Sequence, residues 1–260
     1  MSSFDHKVVD DFVRNMETAG VGAATQSNAF DKLASILLDA HHLGVFDENP
    51  LQGVKPPQYA PSRSVIPTPC QLEALRSAGD DSFQLLVDLM SGCGMRNGEA
   101  AAVNTRNIVS DHVYRITEQV NQTTKTYGPL KHRKPGEYRD VPLPPRIRDT
   151  IERFTKKHST TDGYLLRHPN DVTRPFQPYL LQNQWQRLKL LREIAVPEGA
   201  VIYSLRHYFA SNCLSRGIPI TDVAEWMGHK NIDITFKIYR HLMPGTLGQA
   251  AKVLDLGLAA

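Results

Sequence analysis

Residues 203–241 read YSLRHYFASNCLSRGIPITDVAEWMGHKNIDITFKIYRH. Their spacing predicts three helices, over 204–215, 219–227 and 231–241, with Gly217 at the C′ position of the first and Gly228 turning the chain before the third. Leu205, Phe209, Val223, Trp226, Ile234 and Ile238 are the expected core. Arg206, His229 and Tyr239 are polar landmarks among them. A polar group inside a core-forming helix costs free energy unless it has a partner. For a planar guanidinium, a phosphate is such a partner. A tyrosine close by then becomes a candidate nucleophile toward that phosphate.

Upstream, Phe4, Val8, Phe12 and Met16 stand at helical spacing, and Gly20 ends that helix. Thr25 is placed to cap a second helix with Phe30, Leu33, Ile36 and Leu37 on one face. His41 and His42 near its end read as cations at a helix C-terminus, not as a metal site. Residues 52–67, QGVKPPQYAPSRSVIP, are proline-rich and aperiodic, which places a semi-rigid linker there. Thr68-Pro69-Cys70-Gln71 then carries the signature of a capped helix start. Another helix follows Asp80, with Phe83, Leu86, Val87 and Met90 inward.

The segment SGCGMRNGEAAAV, residues 91–103, breaks the chain around Arg96. Its glycines lack the spacing of a nucleotide-binding loop and no strand precedes them, so a tight turn presenting Arg96 is the simpler reading. Glu99 is placed to pair with a nearby basic group. Residues 113–120 predict a strand with Tyr114, Ile116 and Val120 on one face, and 138–143 is placed to pair either with it or with a short strand before Lys131. Between them, KTYGPLKHRKPGE forms a basic loop with Lys125, Lys131, His132, Arg133 and Lys134, either a solvated hairpin tip or a loop that enters a DNA groove. A helix over 146–157, a short strand at 163–166 and a long helix over 177–194 with Trp185 in the core complete the reading.

The chain has 260 residues, enough for one large domain or two small ones, and 41% of them are hydrophobic. Its net charge of +3 permits a polyanionic partner without requiring one. Three widely spaced cysteines fit neither a disulfide framework nor a metal site. The first residues lack a basic start and an apolar run, so no secretory leader is expected. No stretch is apolar enough to span a membrane. A reduced, cytoplasmic chain is the expectation.

Two functional readings follow. Helix, glycine turn and helix between Ser204 and Met227 have the outline of a helix-turn-helix reader, a DNA-binding regulator without chemistry. In the second reading, the chain resembles the tyrosine recombinases of the phage-integrase type. Four ordered segments carry the likeness: GCGMRNGEA at 92–100, GPLKHRKPGEYRDVPLP at 128–144, YSLRHYFAS at 203–211 and GHKNIDITFKIYRHLMPG at 228–245. They resemble, in turn, the segment with the first active-site arginine, the β-hairpin with the catalytic lysine, the family's HxLRHTFAS helix, and the terminal segment with a histidine and the nucleophilic tyrosine.

The resemblance implies a mainly α fold with a small antiparallel β-sheet in two domains: the latter part of a helical core-binding domain over 1–60, a linker over 61–67 and a catalytic domain over 68–260. It places catalytic roles on Arg96, Lys131, Tyr203, Arg206, His229 and Tyr239, with Lys125 and Lys134 as competitors for the lysine role. It implies DNA cleavage and rejoining through a 3′-phosphotyrosyl link, with no metal, nucleotide or other cofactor. The partners implied are double-stranded DNA attachment sites, a homo-tetramer on synapsed DNA and a directionality factor, all in a bacterial cytoplasm and without a membrane. A type IB topoisomerase-like relaxer would share this chemistry. The chain departs from the family pattern at Tyr203, where a histidine is usual; a tyrosine is a poor base at neutral pH. The interval from His229 to Tyr239 is one residue longer than in some members, and the short N-terminus leaves no room for an arm-binding domain. The apolar stripe of Leu247, Ala251, Val253, Leu254 and Leu256 is expected to pack on a neighbouring protomer.

Overall fold

A computed structural model describes residues 4–59, 64–191, 194 and 196–240. The chain divides between residues 63 and 64 into two units. In the first, Asp5 accepts hydrogen bonds from the amides of Lys7 and Val8 and so caps α1 (His6–Thr18). α2 (Ala23–His42) packs against it. Their core is Val9, Phe30 and Leu37, with Val13, Leu33 and Leu51 around it. The buried face of α1 is thus one residue away from the expected one: Phe4, Val8 and Phe12 are exposed. The cap at Asp5 leaves Phe4 outside the helix, where its ring lies 6.0 Å from that of Phe46. Gly22, not Thr25, occupies the cap position of α2, and Ile36 faces solvent.

The second unit opens with α3 (Pro69–Ala78). Thr68 Oγ1 accepts from the Gln71 amide at 3.3 Å, and Gln71 Oε1 accepts from the Thr68 amide at 2.9 Å, the reciprocal cap expected from TPCQ. α4 (Asp81–Gly92), capped by Asp80, is the centre of this unit. Leu85, Leu86, Val87, Leu89 and Met90 are all buried, because other helices cover several of its sides. α5 (Asn97–Ala101) follows a turn through Gly94.

The sheet is small. β1 (Ile108–Ser110), β2 (Val113–Ile116) and β5 (Arg139–Pro142) form an antiparallel sheet in the order β1-β2-β5, with Tyr114 opposite Val141 and Ile116 opposite Arg139. β3 (Gln119–Val120) pairs with β4 (Tyr127–Gly128). Of the two partners expected for 138–143, that strand takes 113–116, and the short strand before Lys131 pairs with 119–120 instead. α6 (Pro145–Lys157) follows. At residues 163–166 the expected strand is reduced to bridges at Tyr164, and regular pairing begins at β6 (Arg167–His168) with β7 (Asp171–Pro175). Gly163, at φ +85°, belongs to a turn pressed against Asn104.

α7 (Pro178–Lys189) buries Trp185 completely but ends before 194, with Leu190 and Leu191 exposed. α8 (Tyr203–Ser215), α9 (Ile220–Met227) and α10 (Ile232–Tyr239) complete the described fold. A second core of Phe209, Ala210, Leu214, Val223, Met227 and Tyr239 joins them. Ile234 is 44% exposed and Ile238 37%, whereas Thr235 and Tyr239 are buried. α10 thus turns its polar side inward, the reverse of the expected orientation, because both polar groups find hydrogen-bond partners there. The expected apolar stripe at 247–256 lies outside the described residues. Among the described residues no helix is long and apolar enough to cross a membrane.

Removing the reciprocal cap should test how far α3 depends on it. Thr68→Ala is expected to lower unfolding free energy by about 0.5–2 kcal/mol in urea denaturation, with an unchanged denaturant slope.

Candidate active site

Arg206 lies in mid-α8, with no exposed surface, between the core residues Leu205 and Phe209. Its two terminal nitrogens donate to the carbonyls of Gly94 and Met227, while its Nε has no partner among the described residues. Burial lowers its pKa to about 10, so the guanidinium remains charged at neutral pH. Gly94 stands at φ +65°, and a Cβ there would lie 2.5 Å from the Phe209 ring. Only glycine lets this turn approach α8 closely enough to present its carbonyl. The other acceptor, Met227, ends α9, where backbone carbonyls lack helical partners.

Arg96 reaches the same place from the turn before α5. Its Nη1 donates to Glu99 Oε1 at 2.9 Å and its Nη2 to the Gly228 carbonyl at 2.9 Å. Gly228 is left-handed at φ +62°, and a Cβ on it would touch Arg139 and Arg96. Arg139, on β5, was not singled out by the sequence reading. It is buried and forms a two-pronged pair with Glu99 at 2.8 and 2.6 Å, and its Nε donates to the Trp226 carbonyl at 2.8 Å. The signal was present in strand periodicity: residue 139 shares a face with Val141 and Leu143, so its side chain points inward and needs a carboxylate. Burial alone would raise the Glu99 pKa. The hydrogen bonds and charge of Arg139, then the charges of Arg96 and Arg206, overcome burial and hold it at about 2.

Three guanidiniums thus surround one carboxylate, an excess of two positive charges. His229 follows Gly228, and its Nδ1 lies 2.7 Å from the buried Thr235 hydroxyl. Burial, then Arg206, Arg96 and Arg139, lowers its pKa to about 4, so it is neutral at pH 7. Tyr239, on α10, is 1% exposed, and burial pushes its phenol well above the usual range. Its hydroxyl is hydrogen-bonded to Nδ1 of His207, which follows Arg206 on α8.

Lys131 is exposed on the loop after β4. With Arg96, Asn97, Gln119 and Tyr203 it lines an open cavity of about 580 Å³. Lys125 and Lys134 do not line it: the Lys125 ammonium lies 5.6 Å from the centre of the Tyr179 ring, and the Lys134 amide bonds Glu137. Tyr203 is 42% exposed, and its ring centre lies 5.9 Å from the Arg206 guanidinium carbon. The fold therefore brings Arg96, Lys131 and Tyr203 to one cavity and places Arg206 and His229 among the clustered charges. Tyr239 is held beneath the surface. Among the described residues no cluster of three or more His, Cys, Asp or Glu side chains could hold a metal ion.

The carboxylate is expected to govern stability in acid. The pKa of Glu99 lies below the 4.5 of a free glutamate, so its contribution is complete above about pH 4.5 and is lost as pH falls through about 2. Glu99→Gln, which leaves Arg139 buried and unpaired, should cost about 3–5 kcal/mol at pH 7. In urea denaturation at falling pH, the gap between wild type and variant should narrow below pH 4.5.

Residues 68–245 match the phage integrase family. A tyrosine recombinase XerC-like protein of Caldanaerobacter subterraneus subsp. tengcongensis is 36% identical over 193 residues, covering 64% of this chain and 47% of that protein. Tyrosine recombinase XerC of Brucella melitensis is 22% identical over 238 residues, covering 86% of this chain and 70% of that protein. The chain thus spans less than half the length of the first of these relatives. The fold is similar to that of the Tn1549 transposon integrase in complex with a circular intermediate DNA, at a TM-score of 0.74 and 19% identity, over 98% of this chain and 86% of that one. It is also similar to the XerH recombinase bound to its difH substrate, at a TM-score of 0.67 and 17% identity, over 96% and 72% of the two chains. On the match across 68–245 and the fold that carries it, the chain belongs to the phage integrase family of tyrosine recombinases.

Proposed function

We propose that this protein is a site-specific DNA recombinase that cleaves and rejoins double-stranded attachment sites through a 3′-phosphotyrosyl intermediate. The observation that carries the reading is the convergence of Arg96 and Arg206, from segments far apart in sequence, on a site with two uncompensated positive charges beside Tyr239. A phosphodiester would supply the missing negative charge. Tyr239 Oη attacks phosphorus, the bond to the 5′-oxygen breaks, and Lys131 gives that oxygen a proton. Arg96 and Arg206 hold the non-bridging oxygens as charge develops. His229 and Tyr203 hydrogen-bond and place the phosphate. Conserving the bond energy in the phosphotyrosyl link lets the reverse reaction proceed without metal or nucleotide. Tyr239 and Arg206 are both buried in the free protein, so DNA entry must uncover the hydroxyl and free a guanidinium N–H.

The first 60 residues would serve as the core-binding domain, 61–67 as the linker and 68–260 as the catalytic domain. Four protomers on two duplexes would exchange strands in the cytoplasm of a bacterial host, with the stripe at 247–256 docking on a neighbour and a directionality factor choosing the outcome. The regulator reading fits less well. The match of residues 68–245 to the phage integrase family supports a recombinase instead.

A covalent-adduct assay tests the reading on a nicked duplex from the DNA flanking the gene, chosen by its binding to the protein. Wild type should give a denaturant-resistant adduct and Tyr239→Phe none; adduct from both would mean that another residue is the nucleophile. Arg96→Ala should slow adduct formation about 100- to 1000-fold. Relaxation of supercoiled DNA without strand exchange would favour the topoisomerase alternative. Affinity should also fall steeply between about 50 and 200 mM salt, because phosphate contacts release counterions; a flat response in a binding titration would count against a clamp on the duplex backbone.

A further inference from the structure

A phenol that attacks phosphorus must lose its proton, and the acceptor must lie within hydrogen-bond reach. The candidates around Tyr239 differ sharply in placement. His229 directs its Nδ1 to Thr235 at 2.7 Å. Lys131 lies exposed at the open cavity. Tyr203 is itself a phenol on the first turn of α8, its ring edge-on to His207 with centres 5.2 Å apart. His207 is different: its Nδ1 is already bonded to the Tyr239 hydroxyl, and its Nε2 lies 3.1 Å from Ser64 Oγ. The imidazole is thus held at both nitrogens, between the nucleophile and a serine at the start of the second unit.

We infer that His207 is a catalytic residue of strand transfer, its Nδ1 receiving the proton of the Tyr239 hydroxyl as that oxygen attacks the DNA phosphate. The inference rests on the recombinase reading above. The step balances. The Oη–P bond forms and the P–O5′ bond breaks. One proton passes from Oη to His207 Nδ1, and another passes from Lys131 to the 5′-oxygen. Imidazole becomes imidazolium, ammonium becomes amine, and the phosphodiester charge is unchanged. On rejoining, the same protons return.

Three features fit the role. Nδ1 can accept only in the tautomer with its proton on Nε2, and Ser64 Oγ is placed to accept from that N–H. His207 adjoins Arg206 on α8, so the proton acceptor and the phosphate clamp ride on one rigid element. Burial, then the charge of Arg206, lowers its pKa to about 4, so the ring is neutral and offers a lone pair at pH 7. That low basicity also keeps the proton on Tyr239 while the site is empty. A phosphodiester seated on the arginines brings the negative charge that makes an imidazolium tolerable.

The test uses the full chain and the nicked duplex described above, prepared with either oxygen or sulfur at the bridging 5′ position. A sulfur leaving group departs without a proton, so it relieves the loss of a leaving-group acid but not the loss of a base. His207→Gln keeps an acceptor of similar size that cannot take the proton, and His207→Ala leaves a space that free imidazole can enter. With DNA binding retained, both variants should form adduct about 100-fold more slowly or worse on both substrates. Sulfur should restore Lys131→Ala but neither His207 variant, and added imidazole should restore His207→Ala but not Tyr239→Phe. A rate for His207→Gln within about threefold of wild type would overturn the assignment alone. So would its recovery on sulfur, or the failure of imidazole to restore His207→Ala. No adduct from wild type would overturn the strand-transfer reading, and the assignment with it.

Discussion

The Glu99 carboxylate is the interaction on which the site depends. It is buried, and it takes four hydrogen bonds from the Arg139 side chain, the Arg96 side chain and the Arg96 amide. A charge this deep is tolerable only when its partners are fixed. Fixing them ties three parts of the second unit together: the turn before α5, strand β5 and the α9–α10 corner, whose carbonyls at Trp226 and Gly228 take the remaining arginine donors. Arg96 is therefore held in place by the fold itself. The role proposed for it, stabilising charge in a transition state, would use such a preset donor.

The second constraint is backbone approach. Arg206 is satisfied by two carbonyls that no side chain supplies, one from a left-handed glycine turn and one from a helix end. Gly94 and Gly228 serve this end in different ways. The first removes a Cβ that would strike Phe209, and the second takes a left-handed turn that bends α9 back toward the arginines. Tyr239 is placed by the same economy of groups. Thr235 and Tyr239, four residues apart on one face of α10, engage His229 and His207 in turn.

Much of this was legible beforehand, because local rules sufficed. The cap at Thr68, the buried α4, the pairing of 113–116 with 139–142 and the glycine ends at 217 and 228 all follow from turn chemistry and periodicity. The failures share a cause. The inward face of α1, the orientation of α10 and the early end of α7 depend on what packs against each helix. Apolar spacing alone chose Ile234 and Ile238 for the core, but hydrogen bonds from Thr235 and Tyr239 decided otherwise.

From the sequence by itself came the family likeness, the order of the helices and the short strands, and the positions of Arg96, Arg206, His229 and Tyr239 in matching motifs. It also showed Glu99 in need of a basic partner. Only the tertiary structure decided which partners: Arg139, 40 residues away, together with the nearby Arg96. It likewise decided that His207 is hydrogen-bonded to the Tyr239 hydroxyl. The physical reason is that a motif states which groups are available along one segment. Which of them meet depends on the packing of α8 against α9 and α10 and on the seating of β5 beneath them, and those contacts join residues far apart in the chain.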